Sequence, residues 1–249
     1  MQTILIFGAT SSIAQACMHV WAKQKQVQKF ICVARNSQKL KSFTDDFQVR
    51  YPDIEIQSLI INFQSMTDVT VCIDQCFKAQ KIDQVLLVQG MMYQQESNLD
   101  QSEIEALIHL NATSVAVAVD QIYKSLCLQN NGKIGVIGSV AGDRGRKANY
   151  LYGASKAFVA TYVEGLQHRA ALEQSPVSIS LIKPGPTQSA MTQHLTAAGK
   201  KLAKVEDVAQ QIVQGMEKGQ RSIYAPGLWR LIMLIIRHLP FFIFKKLDI

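Results

Sequence analysis

"TILIFGATSSIAQAC", Thr3 to Cys17, opens as a short apolar run, turns on one glycine and continues with small and apolar residues at helical spacing. A strand that passes through a glycine turn straight into a helix is the entry to an α/β fold, and the pattern repeats along the chain. Runs rich in Ile, Val and Leu recur at "KFICVA", "IEIQSLII", "QVLLVQG", "KIGVIGS" and "VSISLIK", each followed by a longer stretch with helical periodicity. Runs apolar on both faces suit parallel strands covered by helices on each side. The order predicts a three-layer, doubly wound α/β fold, with a seventh strand near "SIYAP" completing the sheet.

A chain of 249 residues, 48% hydrophobic and 18% charged, can bury one substantial core, and no linker-like stretch divides it. Residues 1–227 form the expected main domain and 228–249 an apolar C-terminal extension. The net charge of +7 is scattered, with no Lys/Arg run interleaved with aromatics, so nucleic acid is not an expected partner. A basic balance also favours phosphorylated ligands or an anionic membrane surface. The five cysteines lie in strand or helix interiors, which points to packed, reduced thiols and a cytoplasmic setting. Cys72 and Cys76 would share a helix face, but no histidine or second cysteine pair joins them, so no metal site is expected. Only Met1 and Gln2 precede the first strand, and no secretory signal is read there.

In a doubly wound fold the turn after the first strand receives a dinucleotide pyrophosphate on backbone N–H groups at a helix N-terminus. Gly8 stands at that turn. Where an NAD site wants Asp or Glu to accept from the ribose hydroxyl, the second strand ends in Ala34 and Arg35. A guanidinium suits a 2′-phosphate, which favours NADP(H); the other reading of Arg35 is a solvated residue opening the next helix.

A second stretch, "SVAGDRGRKANYLYGASKA" from Ser139 to Ala157, holds the groups for proton transfer. On a helix beginning near Tyr152, Lys156 lies one turn on and faces the same side. A nearby ammonium favours phenolate, so the expectation is a Tyr152 whose pKa falls and which serves as general acid to a carbonyl oxygen. Ser139, at the carboxyl edge of the fifth strand, could hold that same oxygen.

"GATSSIA", "LNATS", "IGSV", "YGASK" and "KPGPTQSAMT" stand in one order and spacing over Thr3 to Ala225, and together they resemble the short-chain dehydrogenase/reductase family, whose fold is of Rossmann type. The resemblance implies a catalytic tetrad of Asn111, Ser139, Tyr152 and Lys156, with Asn111 positioning a relay water. It implies cofactor contacts from Gly8, Thr10, Ser11, Ser12, Ile13, Arg35, Asn62, Gly90, Tyr152, Lys156, Pro184, Gly185 and Ser189. The family also implies a homodimer or homotetramer formed through two long helices, here around Glu103 to Leu128 and Tyr152 to Leu172. Departures are visible. Ser12 and Ala14 replace two glycines of the usual turn, and a positive φ at Ser12 would cost about 1–2 kcal/mol. Gln89 is bulkier than the usual alanine, and Asn62 replaces an aspartate. "AMTQHLTAAGKKLAK", which contains His194, reads as a substrate lid.

The extension "GLWRLIMLIIRHLPFFIFKKLDI" is too short in its apolar run to span a bilayer. Its width and cationic rim suit an interfacial helix, a cover over the substrate mouth or a subunit contact, with completion of the core a further reading. With the Ser139–Ala157 segment it looks like the subgroup containing bacterial decaprenylphosphoryl-2-keto-ribose reductases. In that setting Asp143, Arg144 and Arg146 could read a sugar or phosphate, or they could form a salt-bridged loop. The expectation is an NADPH-dependent reductase of a hydrophobic or lipid-linked ketone, cytoplasmic and peripheral at the inner membrane face. The alternatives are a soluble 3-oxoacyl or general ketone reductase and a non-catalytic NADP-binding protein docked on membranes.

Overall fold

The structure, a computed structural model, describes residues 1–93, 98–193 and 201–247. Seven parallel strands form one sheet in the order β3-β2-β1-β4-β5-β6-β7. They are β1 (Gln2–Phe7), β2 (Val27–Ala34), β3 (Glu55–Ile60), β4 (Gln84–Leu87), β5 (Gly132–Ile137), β6 (Val177–Pro184) and β7 (Ser222–Ala225). The strand order reverses between β1 and β4, where Phe7 is in register with Val33 on one side and Leu87 on the other. Open α/β sheets bind ligands at the carboxyl side of such a switch point.

Alternation along β1 separates two cores. Leu5 and Phe7 pack with α3 (Met66–Ala79), α5 (Ser114–Leu128) and α6 (Tyr150–Leu172). Ile4 and Ile6 face α1 (Ser12–Lys23), α2 (Ser37–Arg50) and α7 (Val205–Glu217). All four residues are fully buried, and burying each contributes about 1.5–3 kcal/mol. This is why the strands read as apolar on both faces.

The long helix expected from Glu103 to Leu128 is present and unbroken, with one local change of hydrogen bonding. Helix α4 (Gln101–Ile108) starts at an Asp100–Glu103 capping box, and a single π-helical turn, His109–Thr113, joins it to α5. Such turns widen a helix locally and re-aim a side chain, and this one carries Asn111. Helix α6 begins at Tyr150, two residues before the sequence expectation. The extension is not detached: α8 (Leu228–His238) buries Met233, and a short helical turn, α9 (Phe241–Phe244), follows Pro240. Among the described residues, no helix is long and apolar enough to cross a membrane.

Candidate active site

A cleft of about 370 Å³ opens at the carboxyl edge around the switch point. One end is the turn after β1. Gly8 has φ +87°, and a β-carbon there would lie 2.7 Å from the Gln89 backbone nitrogen, so the position excludes a side chain twice over. Thr10, Ser11, Ser12 and Ile13 line the cleft beside it. Ser11 is the N-cap of α1 and makes no side-chain cap bond, leaving the first-turn N–H groups directed at the cleft. Ser12 is not among the positive-φ residues, so the strain considered for it does not arise.

Arg35 and Asn62 also line this end. Asn36, not Arg35, caps α2 through its bond from the Lys39 N–H at 2.8 Å. Arg35 stands one residue before that cap, and its side chain is exposed on the wall of the cleft. Asn62 Oδ1 accepts from the Gln64 N–H at 3.0 Å.

The other end holds Ser139, Tyr152 and Lys156, with Gly90, Pro184, Gly185 and Ser189 along the wall between. Tyr152 is hydrogen-bonded to Ser139, whose Oγ also accepts from the Ala141 N–H at 3.1 Å. Lys156 Nζ donates to the Ile137 carbonyl at 3.0 Å and lies 5.8 Å from the centre of the Tyr152 ring. Burial lowers the Lys156 pKa to about 8. Burial raises that of Tyr152, and the bond to Ser139 only partly opposes it. This corrects the expected direction: in the cleft as it stands, desolvation outweighs any pull from the ammonium, and the phenol keeps its proton.

Asn111 stands behind the wall, fully buried. Its Oδ1 accepts from the Met91 N–H and its Nδ2 donates to the Met91 carbonyl, both at 2.8 Å. Nδ2 also donates to Ser155 Oγ at 3.1 Å, and that hydroxyl donates to the Tyr152 carbonyl at 2.7 Å. The amide thus ties the π-turn to the first turn of α6. A β-carbon on Gly90 would lie 3.2 Å from Asn111 Oδ1 and 3.4 Å from Lys156 Nζ, so these two side chains flank the same point behind the cleft wall.

Asp143 and Arg144 do not face a ligand. Asp143 is buried, accepting from Lys183 Nζ and from the Tyr224 hydroxyl, each at 2.8 Å. Arg144 donates to the Ile236 and Leu239 carbonyls, and its guanidinium lies 3.8 Å from the centre of the Phe244 ring. It caps the C-terminus of α8, where carbonyls lack helical partners. Arg146 is half-buried, with its pKa lowered by that burial and its Nε unpartnered. The salt-bridged-loop reading holds for Asp143, and Arg144 is a cap. His194 and the central part of the expected lid lie outside the described residues.

Sequence reading noted Gln89 only as a bulky departure. It is 5% exposed, it lines the cleft, and both its amide atoms lack partners. A buried unpaired amide costs about 1–3 kcal/mol, so the cleft floor carries polar atoms suited to a bound polar molecule. Together with the Gly8 turn, this fits a dinucleotide. Trp229 of the extension packs its indole so closely on Gly185, in the cleft wall, that no β-carbon could stand there.

A family model described as short chain dehydrogenase matches residues 2–200. The chain belongs to this family. An uncharacterised oxidoreductase of Mycobacterium tuberculosis is 27% identical over 155 residues, 62% of this chain and 61% of that protein, so the match spans under two thirds of the relative. A short-chain dehydrogenase from Sphingobium yanoikuyae in complex with NADPH superposes with a TM-score of 0.83 at 20% identity, covering 94% of this chain and 92% of that one. A short-chain dehydrogenase/reductase from Burkholderia phymatum in complex with NAD gives 0.83 at 18%, with the same coverage. Backbones this alike hold either dinucleotide, so cofactor preference rests on side chains.

Proposed function

We propose that the protein is an NADPH-dependent oxidoreductase that reduces the carbonyl of a hydrophobic substrate. The observation that carries this is the single cleft that joins the Gly8–Ile13 turn and Arg35 at one end to Ser139, Tyr152 and Lys156 at the other. The turn and the α1 N-terminus would hold the pyrophosphate, Arg35 the 2′-phosphate, Lys156 a ribose, and Pro184, Gly185 and Ser189 the nicotinamide. When bound, the cofactor supplies the hydride.

Tyr152, kept protonated by burial, gives its proton to the carbonyl oxygen as negative charge develops there. Ser139 holds that oxygen in place. Lys156, as ammonium, stabilises the phenolate left behind. Asn111, anchored on Met91, sets the position of Tyr152 through Ser155.

Met91, Met92, Val140 and Met191 line the cleft and support an apolar substrate. A keto-sugar on a polyprenyl phosphate, the substrate of the subgroup that the motifs resemble, is the finer proposal, with its phosphate bound by cations other than Arg144. Five free cysteines, four of them buried, favour a reducing cytoplasmic compartment. Half-exposed Phe158, stacked on Tyr162 along α6, supports pairing of two copies through the long helices.

NADPH oxidation with a panel of apolar ketones tests the reading. Turnover that falls by about 10²–10⁴-fold in Tyr152→Phe, with NADPH binding retained, is expected. No turnover with any ketone, or turnover unchanged in the variant, overturns it.

A further inference from the structure

The C-terminal extension is held in place on one side and bare on the other. On the inner side Met233 is fully buried, Trp229 packs on Gly185 and Arg144 caps the last carbonyls of α8. On the outer side Leu228, Leu231, Leu234 and Ile235 are each more than half exposed. At roughly 100° per residue these four fall within one arc of about 120°, bordered along one edge by Arg230 and Arg237. After Pro240 the chain adds Phe241 at 73% exposure and Phe242 at 64%, with Lys245 and Lys246 one helical turn on. Monomeric proteins seldom leave so much contiguous apolar surface in water.

From Lys218 to Leu247 the chain has six Lys or Arg and no Asp or Glu. That charge decides between occupants. A second copy packed on this face by a two-fold axis would bring Arg230, Arg237, Lys245 and Lys246 against their own copies, an excess of like charge. An anionic bilayer offers an apolar interior for the leucines and phenylalanines and phosphates for the rim.

We propose that α8 and α9 form a docking surface for an anionic lipid bilayer, with the extension lying in the interface and not crossing it. Because Trp229 of the docked helix packs on the Pro184–Pro186 turn, the catalytic domain is mounted rigidly on the membrane-facing element. The inference does not depend on the chemistry in the cleft. Failed ketone reduction leaves docking intact, and failed docking leaves the reductase reading intact.

The full chain is sedimented with vesicles of phosphatidylcholine alone and with vesicles containing about one third phosphatidylglycerol. Binding to the second and not to the first is expected, with roughly tenfold or greater weakening in Lys245→Gln/Lys246→Gln. Phe241→Ser/Phe242→Ser should lose most of the bound fraction while its melting temperature is unchanged, since both side chains are exposed in the free protein. Equal sedimentation with and without vesicles overturns the proposal. So does a dimer in solution that this phenylalanine variant dissolves while the parent chain ignores anionic vesicles.

Discussion

Two buried lysines stand near the carboxyl edge of the sheet, and the structure treats them in opposite ways. Lys183 on β6 meets the Asp143 carboxylate at 2.8 Å, and Tyr224 donates to the other oxygen of the same group. Lys156 on α6 has the Ile137 carbonyl and, among the described residues, no carboxylate, and its pKa is lowered to about 8. A paired charge is held as structure, because separating the pair strands a charge in a poorly solvated place. An uncompensated charge is held at a cost and remains open to whatever enters the cleft. The contrast separates the residues that build the loop between Ser139 and Tyr152 from those available to act.

Substitution puts the contrast to its largest test. Lys156→Met should lower ketone turnover by about 10²-fold or more and leave the melting temperature unchanged or higher, since a buried charge disappears. Asp143→Ala should do the reverse, losing about 3–5 kcal/mol of stability with turnover per folded molecule nearly preserved; Asp143→Ala/Lys183→Met should recover most of the loss. Calorimetry and steady-state rates together decide, and equal melting losses in the two single variants would end the distinction. The pH dependence follows from the same lysine. Its folded pKa, about 8, lies below the ordinary 10.5, so its burial penalty is full below about pH 8 and fades between 8 and 10.5. Relative to Lys156→Met, the parent chain should therefore gain stability across that window. Its reductive turnover should fall over the same range as the ammonium loses its proton.

A smaller effect is expected at the dinucleotide end, where Arg35 is a cation left exposed. Arg35→Ala should weaken NADPH binding about 10- to 100-fold and NADH binding much less, read by fluorescence titration. Equal losses for both would remove the 2′-phosphate argument and leave Arg35 as a surface residue.

The seven strands, the glycine turn and the tyrosine-lysine spacing were legible in sequence because each depends on a local pattern: an apolar run, a small-residue turn, one turn of a helix. What sequence could not give was pairing across the chain. Asp143 and Arg144 stood open between reading a ligand and building a salt-bridged loop because their partners, Lys183, Tyr224 and the carbonyls of α8, lie 40 to 95 positions away. The direction of the Tyr152 shift was misread for a related reason. Spacing puts an ammonium nearby, but it does not report the surrounding protein whose desolvation raises the phenol's pKa. The π-turn at His109–Thr113 was hidden because it changes hydrogen bonding without interrupting the helix or its apolar pattern.

The smallest expected effect extends the contrast from charges to neutral groups. Asn62 has an N–H to accept from, whereas Gln89 has neither donor nor acceptor for its amide although it is nearly as buried as Lys156. Gln89→Leu keeps the volume and removes the unmet polar atoms. If that amide is held in reserve for the dinucleotide, the variant should be more stable by about 1 kcal/mol when free and should gain less from added NADPH. The free variant then melts higher than the parent while its rise with NADPH is smaller, a combination that a packing change alone does not produce. A variant that melts lower in both states would mean the amide is satisfied by water in the free protein, and the comparison would hold for the lysines only.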